Sequence, residues 1–499
     1  MIKKLHCFLL FLFLANASIN AQKNSNRLEF DIKDGYENEV TFPMGANGII
    51  QEATASDAND GQVEIKSDLY STDLVLKKSF SILIKSRCKI DDYCDSEGVH
   101  YSVYRGSRDY FAIVMLNTIN MTYTKIEGEY DNDDTFNGMK VINNIAVFKT
   151  LHNGKSTIVI IDLKTGETKV STFKFEHFSS SDLTIEDFQV YNDEILVFIN
   201  AKTNRKNEDL YISKLNFNGD QLETYNITTD IEEKLITFQA TKMNGKYILT
   251  GTFSKTKKDM SQGIFLAEVV NKKLNFMKFY NFLDLKNFTS YLPQKQQDKI
   301  EKKKERKEEN GKELLINYNI AIHPIIAVEN GYEFLGEAYY PVYHTVTTRM
   351  ANGGFSSYTV FDGYRYTHAV LAKFDKQGGL SWDNTFSMYP NSMPFYVKRF
   401  IQIKQDNANL NLVFADRNQI NYKSFNPLNG SEIKSTTQEI IDTYNEGDKV
   451  KRSFSNIEYW YDDNFLAFGS QVIINKEAEK RKRKIIFLNK IAIESKNKN

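Results

Sequence analysis

Apolar and polar positions alternate along most of this chain, and short turns built from Asn, Gly and Asp cut the alternation at regular places. Eight times, at intervals of roughly fifty residues, an apolar strand stops at such a turn and a second apolar strand follows. The turns lie in MGANGII (44–50), RCKIDDYCDSEGVHY (87–101), VINNIAVF (141–148), VYNDEILVF (190–198), KMNGKYILTG (242–251), AVENGYEFLG (327–336), KQDNANLNLVF (404–414) and YWYDDNFLAFG (459–469). A second series interleaves with the first: STDLVLKK (71–78), LNTINMTY (116–123), IDLKTGETKV (161–170), LNFNGDQLETY (215–225), VVNKKLNFM (269–277), FDKQGGLSW (374–382) and FNPLNGSEI (425–433). Gly and Asn tolerate the positive φ of tight hairpins, so both series read as β-hairpins. Inner hairpins alternating with outer ones give four-stranded units. One such unit cannot bury both faces alone, so copies must pack around an axis as a β-propeller.

Eight inner hairpins stand against seven outer ones. The count closes if the last blade takes strands from both ends of the chain, KIIFLNKIAIE (484–494) pairing with RLEFDIKD (27–34). Such closure removes exposed sheet edges. The predicted fold is therefore all-β, an eight-bladed propeller spanning residues 22–499 as one domain. Seven blades is the alternative, if the long second turn holding Cys88 and Cys94 is misparsed.

Two insertions break the rhythm. The first, about 287–313, holds QQDKIEKKKERKEENGKE, with charges of both signs at helical spacing and almost no apolar stripe, which predicts an exposed helix or mobile loop. The second, 339–368, reads YYPVYHTVTTRMANGGFSSYTVFDGYRYTH. Tyr and Arg in a long loop are the residue types that anchor protein interfaces. The candidate partner-binding residues are Tyr343, His344, Arg349, Tyr358, Tyr364, Arg365, Tyr366 and His368. The competing expectation is an extra hairpin folded on its own small apolar cluster. By propeller connectivity both insertions rise from the same face.

The first residues bear on compartment. Lys3 and Lys4 precede an apolar run from Leu5 to Leu14, and small residues end at Ala21. This predicts a secretory signal peptide, 1–21, cleaved before Gln22. No other stretch approaches the ~20 apolar residues of a transmembrane helix. Richness in Lys, Asn, Ile, Phe and Tyr, with 7 Pro and 2 Trp, points to an AT-rich bacterial genome. The expected location is the periplasm, peripheral to the outer membrane, with secretion the alternative. In that oxidising setting Cys88 and Cys94 are expected to form a local disulfide.

Charge and chemistry exclude more than they assign. The chain has 64 basic and 64 acidic residues, and removing 1–21 takes away two lysines, so no nucleic-acid partner is indicated. Loop assignment does put Lys202, Arg205, Lys206, Lys255, Lys257, Lys258 and the run 480–484 on one face, and Asp91, Asp92, Asp95, Asp193, Glu194, Asp462 and Asp463 on the other. The sequence has no His-Glu-x-x-His pair, nucleophile elbow or Gly-rich phosphate loop. No catalytic residue, metal ligand or cofactor is assigned. Acidic clusters at 57–61 and 129–138 lack the calcium-loop spacing and read as turns.

The outer turns IDLKTGE (161–167) and FDKQGGLSW (374–382) resemble those of quinoprotein-like eight-bladed propellers. That group includes periplasmic alcohol dehydrogenases and a non-enzymatic scaffold of outer-membrane β-barrel assembly. The quinone-dependent enzymes repeat a docking tryptophan in nearly every blade, whereas this chain has only Trp382 and Trp460. The resemblance thus implies a protein-binding scaffold, an accessory subunit of outer-membrane secretion or assembly machinery. The scaffold of that group is usually a lipoprotein, and Cys7 lies too early in the apolar run for lipidation. The alternative is a propeller enzyme or carbohydrate-binding module with its site at the central channel.

Overall fold

The computed structural model describes residues 26–492, apart from 32–34, 107–108, 131–135, 153, 172, 204–207, 229–230, 257–258, 351–352, 391, 406–408, 417–418 and 440–446. The segment read as a signal peptide lies outside the described residues. The described strands form eight antiparallel sheets, seven of four strands and one of five. In blades 1 to 7 the strands follow in chain order from axis to rim. Blade 1 begins at Tyr36–Pro43, blade 2 at Lys89–Ser96, blade 3 at Asn137–Ile142, blade 4 at Leu183–Val190 and blade 5 at Lys234–Met243. Blade 6 has a first strand split into Asn319–Ile322 and Ile326–Val328, which makes its fifth strand. Blade 7 begins at Gln402–Gln405 and blade 8 at Lys449–Tyr461.

Arg27–Asp31 pairs with Lys482–Ala492 and completes blade 8, with Leu28 opposite Leu488 and Phe30 opposite Ile486. The first and last described strands thus lie in one sheet, and the seven-bladed alternative is excluded. Trp460 of blade 8 fastens the same junction by donating its Nε1 proton to Gly48 O of blade 1, at 2.9 Å.

Each blade is sandwiched between two others, so most middle strands are apolar on both faces, Gln62–Tyr70 of blade 1 being an exception. Ile195–Lys202 is buried at every residue except its last. Eight apolar clusters result, one at each junction; Leu196, Phe198, Phe238, Leu249 and Phe265 fill the one between blades 4 and 5. The cluster at the closing junction of blades 8 and 1 is the smallest, with Ile49, Leu74, Trp460, Leu466, Phe468 and Leu488. Outer turns are set by Asp or Asn side chains that accept backbone protons two or three residues on, as Asp162 does from Lys164 N (2.8 Å) and Thr165 N (3.0 Å).

The first strands carry a device that the sequence reading missed. In blades 1, 2, 3, 4, 5 and 8 the register slips near the start of this strand, as between Ile90 and Asp92 and between Ile185 and Asp187. A bulge re-aims the side chains that follow it. Asp92 then accepts Met139 N of blade 3 at 2.8 Å, and Asp187 accepts Ala240 N of blade 5 at 3.2 Å. Lys140 of blade 3 donates to Phe188 O and to Gln189 Oε1 of blade 4. Carboxylates that look like turn formers are in fact latches between blades.

The same fact corrects the cysteine reading. Cys88 and Cys94 are free, and the expected disulfide is absent. Cys94 sits on Lys89–Ser96 and Cys88 just before it, and six extended residues span about 20 Å. A disulfide needs its Cα atoms within about 7 Å. The bulge also turns the side chains apart: Cys88 joins the blade 1/2 cluster and Cys94 the blade 2/3 cluster. The hairpin turns only at Glu97 and Gly98, with φ of 50° and 77°. Burial pushes the Cys88 thiol up to about 11 and the Cys94 thiol up to about 12.

The first insertion forms an exposed helix, Gln294–Glu308, on the link from blade 5 to blade 6. Of the residues expected on the acidic face, Asp91 and Asp92 prove to be strand residues; of those expected on the basic face, Arg205, Lys206, Lys257 and Lys258 lie outside the described residues, and Lys255 has an acidic neighbour. Lys255 meets Glu313 at 2.7 Å.

Candidate functional site

The second insertion is a continuation of blade 6. Its second and third strands, Gly331–Arg349 and Phe355–Phe374, pair from Tyr332 opposite Phe374 to Arg349 opposite Phe355. The neighbouring strands stop earlier, the first at Asn319 opposite Tyr339 and the fourth at His368 opposite Ser387. Residues 340–349 and 355–365 therefore stand clear as a two-stranded ribbon about 30 Å long at ~3.3 Å per residue. Alternating Thr, Val, Tyr and Phe favour this extended form. A cross-strand contact between Thr347 and Ser357 hydroxyls, at 2.9 Å, pins the register near the tip.

The base of the ribbon rests on the link 388–401 between blades 6 and 7. Tyr364 N donates to Pro394 O at 2.9 Å, Phe361 meets the Phe395 ring edge-on at 6.0 Å, and Arg365 Nη2 reaches Met393 Sδ at 3.4 Å. Gly363 makes the close approach possible: its φ is +121°, and a Cβ there would lie 2.6 Å from Met393 O. The ribbon exposes Tyr343 and Phe355 on the face that carries Phe361, and Tyr340 and Tyr358 on the other, while the link exposes Tyr389, Met393, Phe395, Tyr396 and Val397. The sequence reading missed the link, although PFYV (394–397) puts two aromatics and a Val directly after a proline in a connection between blades.

The predicted contact residues divide into two groups. Tyr343 and Tyr358 are 57% and 54% exposed, and Arg349 and Arg365 are also exposed. His344 is exposed and meets Asp362 at 2.6 Å. Tyr364 is half-buried between Tyr339 and Phe361. Tyr366 and His368 lie inside the blade, 1% and 0% exposed, and offer no contact surface. The Tyr366 hydroxyl instead brackets the link, accepting from Lys398 N at 2.8 Å and donating to Lys398 O at 2.5 Å. His368 stacks on Tyr291 at 3.7 Å, and burial pushes its imidazole down to about 3, which keeps it neutral.

The link also supplies the axis with charge. Glu337, fully buried, accepts Phe400 N and Ile401 N at 2.9 Å and meets His323 Nε2 at 2.6 Å, fixing the lower end of the link. Just above, Lys398 donates to Asn456 Oδ1 of blade 8 at 2.8 Å. Burial raises the Glu458 carboxyl to about 7, with Lys398 opposing and Asp95 of blade 2 reinforcing. Arg399 lies near enough to Glu337 and Asp187 to feel both charges, though burial outweighs them and holds its pKa below the ordinary value.

A Ser-His-Asp chain also lies here. His100 Nδ1 meets Asp95 Oδ1 at 2.6 Å, and His100 Nε2 meets Ser102 Oγ at 2.7 Å. Ser102 is 0% exposed and His100 1%, so no substrate reaches the hydroxyl. Further up the same junction, Glu52 accepts from Tyr104 at 2.7 Å and from Ser67 at 2.8 Å. These contacts satisfy polar groups between blades 1 and 2 and do not constitute a nucleophile. Among the described residues no three His, Cys, Asp or Glu side chains converge as metal ligands, and no helix is long and apolar enough to cross a membrane.

The strand order and the closing pair define an eight-bladed β-propeller with an aromatic ribbon on one face. No protein-family model matches the chain, and no curated protein matches it. Similar solved structures include a prolyl endopeptidase (8% identity, 88% of this chain, TM-score 0.38), of whose length this chain spans only 55%. The polysaccharide lyase Uly1 is 10% identical over 81% of this chain and 90% of its own, with a TM-score of 0.40. The WD40 domain of SCAP from fission yeast is 8% identical over 93% of this chain and 98% of its own, with a TM-score of 0.38. The blade count rests on the strand order, and these likenesses assign no activity.

Proposed function

We propose that this chain is an exported, non-enzymatic scaffold that binds a protein partner through the ribbon and the adjoining link. The observation that carries this reading is a run of aromatic rings across two segments held together by backbone bonding, Tyr343 against Phe361 at 5.4 Å and Phe361 against Phe395 at 6.0 Å, with Tyr343 and Phe395 exposed. Exposed Tyr and Phe beside Arg349 and Arg365 match the residue types that dominate interface energetics. The signal-like residues 1–21 support export to the periplasm or beyond, and the resemblance to outer-membrane assembly scaffolds supports a role as an accessory subunit of such machinery.

The test is recovery of partners by a tagged full-length chain from native membranes, wild type against a variant with Tyr343, Phe355, Tyr358 and Tyr396 changed to Ala. The variant is expected to keep its thermal stability and lose at least about tenfold in partner recovery, since one anchor alone is worth ~2 kcal/mol. Undiminished recovery by a folded variant defeats the proposal. A second reading, an enzyme or carbohydrate-binding module at the axis, rests on Glu458, whose raised carboxyl suits proton transfer near neutral pH. Glu458→Gln leaves partner recovery unchanged if the ribbon is the site.

A further inference from the structure

One edge of the blade 6 ribbon is a row of open backbone groups. Asn319–Ile322 fills the lane beside Gly331–Arg349 only as far as Tyr339. At the tip, Met350 N donates to Gly354 O at 2.7 Å, which makes those two a hydrogen-bonded pair and sets the phase of the pairs below them. Thr348, Val346 and His344 therefore turn their backbone groups inward to Ser356, Tyr358 and Val360, whereas Tyr343, Thr345, Thr347 and Arg349 turn theirs outward. The contact between the Thr347 and Ser357 hydroxyls fits that phase, since side chains lie closer in a non-hydrogen-bonded pair. Among the described residues the four outward N–H and C=O pairs have no backbone partner. The other edge of the ribbon is flanked by the link, through Tyr364 N on Pro394 O and Phe361 against Phe395.

Monomers guard such edges with Lys, Pro or inward-pointing charge. Pro341 guards the base of this one, but 343–349 (YHTVTTR) and 355–361 (FSSYTVF) hold no Lys, Asp, Glu or Pro. The unguarded stretch is complementary to itself. When it is laid antiparallel to a second copy with Val346 on the twofold axis, Tyr343 falls opposite Arg349 and Thr345 opposite Thr347. No other antiparallel register pairs all four outward residues with one another. Arg349 then stands between Phe355, opposite it in its own ribbon, and Tyr343 of the second copy, so the guanidinium has a ring on either side. The two Arg349 charges lie at opposite ends of the pairing, Thr hydroxyls face Thr hydroxyls, and Val346 meets Val346. The two Tyr339 residues, where the ribbons leave their blades, come about 45 Å apart at ~3.3 Å per residue, so the propeller bodies sit at opposite ends of the joined sheet.

We propose that the 343–349 edge is a dimer interface, joining the ribbons of two copies of this chain into one four-stranded antiparallel sheet. Each of the four pairs exchanges two backbone hydrogen bonds, about eight in all. Edge pairing uses backbone groups and leaves both faces of the ribbon open, so it does not rest on the partner binding proposed above.

Sedimentation velocity of the purified full-length chain tests it, from about 1 to about 100 µM, across which the wild type should shift from monomer to dimer. Thr345→Pro and Thr347→Pro each remove one outward N–H and no bond within the ribbon, because proline is tolerated where the N–H faces solvent. Each should weaken dimerisation at least about tenfold. Val346→Glu and Val346→Lys set like charges directly opposite one another across the axis. Either alone should be monomeric, and an equal mixture of the two should regain the dimer, which no loss of folding could produce. A wild type that stays monomeric at about 100 µM overturns the proposal. So do proline variants that dimerise like the wild type, or a mixture no more dimeric than its components. Recovery of a partner from membranes plays no part in this measurement, so the two proposals fail separately.

Discussion

Replacing Glu333 with Gln should stabilise the propeller at neutral pH and leave it nearly unchanged at acid pH. Glu333 lies on the second strand of blade 6, is 0% exposed, and has no hydrogen-bond partner for either carboxyl oxygen among the described residues. Its cross-strand neighbour, Lys373, is turned away to donate to Pro427 O at 2.7 Å. Burial therefore dominates and raises the carboxyl from its ordinary 4.5 to about 7. Between those values the folded chain holds a proton that the unfolded chain has released, so stability falls as pH rises through the window and is level above it. At 1.36 kcal/mol per unit the loss is about 3 kcal/mol. Gln carries no such proton. The gain of Glu333→Gln over wild type should grow from near zero at about pH 4.5 to about 3 kcal/mol at pH 7.5. For a chain of this size, at ~2 cal/mol/K of unfolding entropy per residue, that is a melting shift of about 3 °C. Other buried acids such as Glu458 contribute equally to both proteins and cancel in the difference. Thermal melts by circular dichroism across this range measure it, and a difference independent of pH refutes the argument.

Tyr366→Ala should cost about 3–5 kcal/mol in chemical unfolding, because it empties a core position and frees the 388–401 link, whereas Tyr358→Ala on the ribbon should stay within about 0.5 kcal/mol. Equal effects would mean that the ribbon packs against something in solution. In protein prepared without reductant, Cys88 and Cys94 should alkylate slowly while folded and yield two modified thiols once unfolded; a chain that still resists modification after unfolding would contain the disulfide absent here. Gly363→Ala should part the ribbon from the link, lowering stability by about 1–2 kcal/mol and weakening partner recovery. Unchanged recovery would separate binding from that contact.

Most of the architecture was legible because propeller geometry writes itself into turns. Paired residues such as Asn143 and Asn144, with φ of 50° and 62°, sit where only a few residue types are comfortable. The closing pair followed from counting hairpins. Legibility failed where one residue type serves two purposes. Asp91 and Asp92 look like turn chemistry, yet bulges turn them into latches on the next blade, and the cysteines beside them were misplaced as a result. The ribbon failed differently. Tyr364, Tyr366 and His368 share one strand, but a register slip at Thr367 turns His368 toward Tyr291 while Tyr366 faces Phe400, and the level at which the strand enters the blade separates half-buried Tyr364 from buried Tyr366. The contact of Phe30 with Tyr70 left no local trace, because the two rings meet only when the propeller closes.

That closure has a consequence for how the chain is made. Arg27 hydrogen-bonds Gln471, 444 residues away, and Gly48 receives the proton of Trp460, 412 residues away. The first strand to leave the ribosome therefore waits for almost the last one, while the intervening blades assemble from neighbouring hairpins. Loop closure over that distance is slow compared with hairpin formation. A product that ends early, before Lys482–Ala492, leaves Leu28 and Phe30 without a sheet to join and a raw edge on the final blade. Ring closure thus ties the fate of two remote strands together: neither Arg27–Asp31 nor the edge of Lys482–Ala492 is covered until both have been made.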